Sequence, residues 1–330
     1  MAVLTPFFVI AAGWIAGLVA RHVPGANPGA GTQARNGAAA RGYVRPGVSW
    51  MLFGGYADHD GAGGPNGAVP GVTCVRQHLY EFDSAGKWRW PPVNGPVPPA
   101  WPASPAYAPD ARWFFTIYPN PDQLLAGRLD ARIRDFLADA PPYSSLTAYA
   151  EADGRPDGVP QWEPLGLTVD KLLDIHRHMF SLTTGTNVGY GPVVCGFGAD
   201  SAAYCPPGMD FYGLDIYDAP GSLPGKLDQW RANTARQVGT DLPTLALAET
   251  NTNVPARRPT WFKAVFSWLK SYESRGARVR CMCTYWNPGG PLSGPWLPDD
   301  TTVIGTLRAI AQLAHDERDG DEPRACAEPR

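Results

Sequence analysis

The chain has 330 residues, of which 44% are hydrophobic and 18% are charged, and its formal net charge is -3. This length is sufficient for one barrel-sized domain or for two smaller domains, each with its own hydrophobic core. The slightly acidic balance gives no electrostatic signature of binding to nucleic acid or to anionic membranes, so we expect no nucleic-acid partner.

Residues 1–22 have the character of an export signal or of a membrane anchor. Residues 3–20 are uncharged and strongly apolar, and small residues at 18–20 suit cleavage by a signal peptidase. The basic residues that usually precede such an apolar run are missing, and a buried helix is the alternative interpretation. We expect a secreted or cell-surface protein, which an uncleaved segment would anchor to the membrane.

The rest of the chain divides into a linker, one domain and a tail. Residues 23–42 are rich in Gly, Ala and Pro, a composition typical of a flexible linker. The folded domain is predicted to span residues 43–315, and the charged tail, 316–330, is predicted to be disordered. We expect the protein to be a monomer.

Strand candidates alternate with helix candidates along this domain. The predicted strands are 48–54, 72–80, 111–118, 145–150, 187–195, 209–217, 244–248 and 279–286. Apolar residues that recur every three or four positions predict helices at 122–140, 168–182, 227–238, 259–275 and 301–314. Such alternation indicates a parallel sheet built from right-handed βαβ units. The sequence therefore predicts an α/β fold, and eight strands in about 270 residues favour a closed (β/α)8 TIM barrel.

The sequence contains no pattern typical of a metal or dinucleotide site. No GxGxxG motif follows the first strand, and none of the six cysteines forms a CxxC pair. Cys281 and Cys283 lie on one face of a predicted strand and are interpreted as core residues. Cys195 and Cys205 bracket a loop and would close it as a disulfide in an oxidising compartment. We expect no metal site and no cofactor.

Two predicted strands end in a glutamate. Glu151 follows the fourth strand and Glu249 follows the seventh. In a (β/α)8 barrel these strands lie nearly opposite each other and catalytic groups cluster at their carboxyl ends, so both side chains can reach one cleft. Two carboxyls about 5–5.5 Å apart are what a retaining glycosidase requires. Asp153 lies two residues after Glu151 and would raise its pKa from within the same cleft; a surface carboxylate paired with Arg155 is the alternative for Glu151.

Other strand ends contribute candidate ligand-binding side chains. His78 lies near the end of the second predicted strand, beside Arg76, and Tyr118 ends the third. Both His78 and Tyr118 are predicted to bind substrate. A structural role is the alternative for these residues, because isolated His and Arg residues more often satisfy hydrogen bonds within the fold.

Five segments follow one another in an order and spacing that carry more information than any one of them alone. They are Tyr149-Ala-Glu-Ala-Asp153, Leu172-Leu-Asp-Ile-His-Arg-His178, Gly213-Leu-Asp-Ile-Tyr217, Glu249 and Tyr285-Trp286. Together they resemble the clan-A glycoside hydrolases, most closely glycoside hydrolase family 26, whose members are mostly β-mannanase-like. The resemblance covers roughly residues 47–314.

This resemblance implies a role for each matching residue. Glu151 would be the acid/base and Glu249 the nucleophile of a (β/α)8 retaining glycosidase. Tyr217 would donate a hydrogen bond to the nucleophile, and Trp286 would stack on a sugar ring; a core aromatic is the alternative for both. Ala150 stands where the family usually has His and the wider clan has Asn.

The sequence thus leads to two functional hypotheses. The first is a retaining glycoside hydrolase that cleaves a β-linked polysaccharide or oligosaccharide by double displacement. The second, prompted by Ala150, is a carbohydrate-binding barrel without catalytic activity. A serine hydrolase is disfavoured because the chain has no GxSxG elbow.

Overall fold

The computed structural model describes residues 52–56, 72–79, 107–140, 144–154, 166–195, 201–217, 223–252, 254–285 and 301–319. The predicted signal or anchor, the predicted linker and Trp286 lie outside these ranges. No helix within them combines the length and apolar character needed to cross a membrane.

The described strands form one parallel sheet. They are Leu52–Tyr56 (β1), Val72–Leu79 (β2), Tyr107–Ile117 (β3), Ser145–Ala148 (β4), Gly189–Tyr190 (β5), Val193–Val194 (β6), Tyr212–Ile216 (β7), Leu245–Thr250 (β8) and Val279–Thr284 (β9). Their order is β5-β4-β3-β2-β1-β9-β8-β7-β6, and every pair is parallel. The α/β class and all eight predicted strand positions are confirmed.

The fifth predicted strand is divided into β5 and β6, which are the two ends of the sheet order. Gly191 and Pro192 separate them. A Cβ at position 191 would lie 2.0 Å from the carbonyl oxygen of Phe211, so only glycine fits this close approach of two backbone segments. Pro192 has no N–H to donate to a neighbouring strand. The two residues together interrupt the strand.

Six α-helices occur in the described part of the chain, together with short 3-10 helices at Ser201–Tyr204 and Pro255–Arg257. The α-helices are Pro121–Leu125 (α1), Asp130–Asp139 (α2), Val169–Thr183 (α3), Leu223–Val238 (α4), Arg258–Glu273 (α5) and Thr301–Asp319 (α6).

Two helix predictions need correction. The single helix predicted over 122–140 is wrong: α1 and α2 are separated at Gly127, whose φ of 70° lies in the left-handed region that favours glycine. Asn120 begins α1, since its Oδ1 accepts hydrogen bonds from the N–H groups of Asp122 and Gln123 at 3.1 and 3.0 Å. The last helix, α6, runs to Asp319 rather than to Ala314, and so includes four residues predicted to be disordered tail.

Buried side chains cover both faces of the sheet, as expected for parallel strands. On β3, Phe115 and Ile117 belong to the larger cluster that packs with the helices, whereas Phe114 belongs to a smaller cluster. This smaller cluster consists of Cys74, Phe114, Ala150, Val193, Phe211, Ala246, Ala248, Cys281 and Cys283. It supports the candidate functional site, because several of its strands carry the site's polar residues one or two positions further along.

Candidate active site

Two glutamates lie at the carboxyl ends of parallel strands. Glu249 is the penultimate residue of β8 and is only 2% exposed, whereas Glu151 lies three residues beyond β4 and is half-buried. The carboxyl ends of all strands in a parallel sheet lie along the same edge, so the two side chains share that edge.

Arg76 in β2 forms an ion pair with Glu249. Its side chain is fully buried, and its Nε lies 3.3 Å from Oε1 of Glu249. Its Nη2 lies 4.0 Å from Oδ2 of Asp215, and its Nη1 donates to the carbonyl oxygen of Phe114 at 3.4 Å and to Oγ1 of Thr116. Burial by itself lowers the pKa of Arg76, but the charges of Glu249 and Asp215 raise it overall, so the guanidinium stays protonated.

Tyr217 contacts the other oxygen of Glu249. This residue follows β7, and its hydroxyl donates to Oε2 of Glu249 at 2.5 Å. Both oxygens of Glu249 therefore face a donor or a cation, an arrangement that stabilises a negative charge there. Burial, followed by the charges of Glu249 and Glu151, raises the pKa of Tyr217, so the phenol keeps its proton.

The environment of Glu151 favours its protonated form. Burial and then the negative charge of Glu249 raise the pKa of Glu151 to about 7. Hydrogen bonding to Cys195 and Tyr217 and the charge of Arg76 act in the opposite direction.

The loop that carries Glu151 has an unusual backbone. Tyr149 and Glu151 have φ values of 55° and 59°, in the left-handed region that residues with a Cβ rarely adopt. Such conformations cost about 1–3 kcal/mol each, so surrounding contacts must maintain them. The hydroxyl of Tyr149 donates to the carbonyl oxygen of Pro119, and the N–H of Glu151 donates to the carbonyl oxygen of Val193 at 2.9 Å.

Asp153 also attaches this loop to β6. The side chain is buried, and its Oδ1 accepts a hydrogen bond from the N–H of Cys195 at 2.6 Å. The raised pKa of Glu151 results from burial and from Glu249, whereas Asp153 is oriented towards backbone. Its predicted contact with substrate stays a prediction.

The other predicted ligand-binding residues are placed as follows. Tyr118 is buried and packs edge-to-face on Tyr149, with ring centroids 6.0 Å apart, so it belongs to the core beneath the loop. His78 lies two residues after Arg76 in β2, opposite Thr116 in the register of β3.

Asp215 is a buried acid that the sequence placed inside a strand, where a structural hydrogen bond or salt bridge is expected for it; the structure shows the ion pair with Arg76. It is fully buried in β7, next to Glu249 in register, and neither carboxyl oxygen has a hydrogen-bond partner within the described structure. Burial, followed by the charge of Glu249, raises the pKa of Asp215 well above its usual range. A polar residue at the centre of an otherwise apolar strand was the only sequence signal for it.

Cys195 was predicted from the sequence to form a disulfide, but it belongs to the candidate active site. The predicted disulfide with Cys205 is not formed, because both residues are buried free thiols. The thiol of Cys195 instead hydrogen-bonds to Glu151. Ala150, the residue before Glu151, is buried in the smaller apolar cluster, and its methyl side chain carries no polar atom. Nothing in the local sequence around Cys195 indicates this pairing.

Comparisons with known proteins identify the fold. No protein-family profile and no curated relative matches the chain. The beta-glycosidase BGL167 is similar in structure, with a TM-score of 0.50 and 12% identity over 80% of this chain and 86% of that one. A Bacteroides ovatus GH5 xyloglucanase has a TM-score of 0.49 at 12% identity, covering 80% of this chain and 75% of that one.

A beta-mannanase from a symbiotic protist of the termite Reticulitermes speratus has a TM-score of 0.48 at 13% identity, covering 83% of this chain and 88% of that one. At such low identity, the likeness concerns the fold alone. The chain has an α/β fold with a parallel sheet, similar to that of a solved glycosidase.

Proposed function

We propose that this protein is a retaining glycoside hydrolase acting on a β-linked polysaccharide or oligosaccharide. The observation that carries the proposal is the contrast between its two glutamates. Glu249 is held between Arg76 and Tyr217, whereas the pKa of Glu151 is raised to about 7. A retaining glycosidase requires this difference between an ionised nucleophile and a protonated acid.

The chemistry follows from these two states. In the first step, an oxygen of Glu249 forms a bond to the anomeric carbon while the bond to the leaving oxygen breaks and Glu151 gives that oxygen its proton. In the second step, Glu151 is a carboxylate and takes a proton from water. The water oxygen bonds to the anomeric carbon, and Glu249 leaves as a carboxylate. Glu151 ends the cycle protonated.

The proposal includes a closed (β/α)8 TIM barrel. The two ends of the sheet order, β5 and β6, are joined by only Gly191 and Pro192. The N–H of Gly191 donates to the carbonyl oxygen of Leu146 in β4 at 3.2 Å, so hydrogen bonding from β4 continues up to the junction. If β5 and β6 count as one strand, the sheet has eight strands and no free edge, as a barrel requires.

Release of reducing ends from a panel of β-linked glycans tests the proposal. We expect the wild type to cleave at least one, with β-mannan tried first because of the resemblance to family 26. Glu249→Ala is expected to lose this activity, and azide to restore cleavage of an activated aryl glycoside by occupying the space left by the carboxyl. Asp174→Asn, a change at an exposed ion pair with Arg177, serves as the control and should keep the wild-type rate.

A carbohydrate-binding barrel without catalytic activity is the second candidate, and Ala150 is the observation that favours it. Its side chain is buried among apolar residues, so it offers no polar contact to a sugar. Retarded migration in glycan-containing gels without release of reducing ends would support this candidate. Full activity of Glu249→Ala would contradict the assignment of the nucleophile.

We also propose that the protein is exported and that it is a monomer. The apolar character of residues 3–20 supports a secreted or cell-surface location, with residues 1–22 as signal or anchor. Sequencing the N-terminus of the protein recovered from the medium or from membranes distinguishes cleavage from anchoring. Sedimentation of the purified chain tests the monomeric state.

A further inference from the structure

Three buried cysteines meet on one face of the sheet, in the small apolar cluster that supports the candidate active site. Cys74 lies in β2, and Cys281 and Cys283 lie in β9. Their Sγ atoms are all within 4.8 Å of one another, those of Cys74 and Cys283 are 3.3 Å apart, and none of the three residues is more than 2% exposed.

A glycine on the strand between them makes this approach possible. β1 separates β2 from β9, and Gly54 in β1 pairs in register with both Cys74 and Cys283. A side chain at that position on the same face would stand between the two sulfurs. Because glycine has none, the thiols can meet across the intervening strand.

A disulfide does not fit this arrangement. Neighbouring strands are about 4.8 Å apart, so the Cα atoms of residues two strands apart are separated by about 9 Å. A disulfide requires Cα atoms about 4.4–6.8 Å apart. All three residues are free thiols in the structure, and three thiols cannot in any case be paired completely among themselves.

The spacing of the sulfurs instead suits a shared metal ion. An ion bound by three thiolates at about 2.3 Å places the sulfurs about 4 Å apart, because the side of an equilateral triangle is about 1.7 times the distance from its centre. The Sγ atoms of Cys74 and Cys283 are 3.3 Å apart and all three Sγ atoms lie within 4.8 Å of one another, so the thiols are already near the separation that such an ion requires.

The residues around the three thiols favour a soft metal ion that binds few ligands. No further His, Cys, Asp or Glu joins the three thiols among the described residues, whereas structural zinc sites are almost always completed by four protein ligands. The rest of the cluster is apolar, including Phe114, Phe211 and Ala248. Soft thiolate ligands in such a setting favour Cu(I).

Nearby positive charges offset part of the charge of such a site. The Cζ atom of Arg76 lies 4.5 Å from the ring centroid of Phe114 and that of Arg280 lies 5.8 Å from the ring centroid of Phe211, and both rings belong to the same cluster as the three thiols.

We propose that Cys74, Cys281 and Cys283 form a three-coordinate Cu(I) site in the interior of the sheet. The proposal is independent of the proposed hydrolase activity. It also revises the expectation of no metal site, which relied on close sequence spacing. Two of the ligands are 209 residues from each other in the sequence, so no motif could indicate them.

Anaerobic titration of Cu(I) into the reduced full-length protein, in competition with a chromogenic Cu(I) chelator, tests the site. We expect one Cu(I) per chain. Cys283→Ser should weaken the affinity by about 100-fold or more, since even the loss of a residue that only orients a ligand costs about 10–100-fold. Cys205→Ser, which removes a buried thiol outside the cluster, should bind copper like the wild type.

The proposal is overturned if the wild type leaves copper with the chelator, or if Cys205→Ser loses as much affinity as Cys283→Ser. A measurement on the wild type alone covers the case in which Cys283→Ser does not fold. X-ray absorption at the copper edge should then show three sulfur neighbours, and a shell dominated by nitrogen or oxygen would also overturn the proposal.

Discussion

Arg76 and Glu249 form an ion pair in which both side chains are buried, with Nε and Oε1 3.3 Å apart. Such a pair positions a carboxylate, but loss of either partner would leave the other charge buried without compensation. The Arg76 guanidinium is further fixed by the ring of Phe114, whose centroid lies 4.5 Å from its Cζ. Arg76 is thus a positioning residue for the proposed nucleophile.

Arg76→Met should reduce the free energy of unfolding by about 3–5 kcal/mol, because it leaves Glu249 buried without its cation. The double variant Arg76→Met with Glu249→Gln should be more stable than the single variant, because the uncompensated charge is gone. Urea unfolding of the wild type, Arg76→Met, Glu249→Gln and the double variant measures both effects. A double variant less stable than Arg76→Met would show that the ion pair does not account for the loss.

The rate of glycan hydrolysis should fall as pH rises through about 7, the pKa of Glu151, because the acid must be protonated to act. Glu249 raises this pKa, so Glu249→Gln should move the titration of Glu151 to lower pH. NMR of the labelled carboxyl group measures it directly, without requiring activity. An unchanged titration in Glu249→Gln would mean that the two carboxyls do not interact.

Cys195→Ala should move the titration of Glu151 in the opposite direction. The thiol hydrogen bond lowers the pKa of Glu151, so its removal should raise that pKa and extend activity to higher pH. Cys195→Ser retains a donor and should leave the pH profile closer to that of the wild type. Cys205→Ala, which removes a different buried thiol, is the matched control. A loss of rate without a shift in pH would indicate a purely structural role.

Asp215 should make stability depend on pH. Burial and the charge of Glu249 raise the pKa of Asp215 in the folded state. The protonated carboxyl therefore contributes to the free energy of unfolding fully below the unfolded pKa of about 3.9, and this contribution is lost as pH rises through the folded pKa. Asp215→Asn should remove this loss, leaving the free energy of unfolding less dependent on pH above about 4. Asp174→Asn, at an exposed position, should retain the wild-type dependence.

The sequence was most informative where the physical signal is local. Alternation of apolar runs predicted every strand position, and the two strands that end in Glu151 and Glu249 were recognised because a buried strand rarely ends in a carboxylate without reason. Periodicity shows which face of an element is buried. It does not show which residues of distant elements meet on that face.

The features that were missed depend on contacts between distant segments. The break at Gly191 exists because the backbone of Phe211 approaches it, and the pairing of Cys195 with Glu151 requires two strand ends to meet. The split between α1 and α2 is different, since Gly127 was a local signal for it. The spacing of apolar residues at every third or fourth position continues past Gly127, but the backbone conformation of this glycine ends the helix.

The junction between β5 and β6 has a mechanical consequence for the proposed chemistry. The Glu151 loop is attached there, through the carbonyl of Val193 and the N–H of Cys195. Glu249 instead lies within the six consecutive residues of β8, although the register of β8 with β9 shifts between Leu247 and Thr250. We therefore expect the proposed proton donor and the proposed nucleophile to lie in parts of the sheet that open locally with different free energies. Hydrogen exchange should detect opening at the junction before the rest of the sheet, and a proposed activity lost in this way should return on cooling without global refolding.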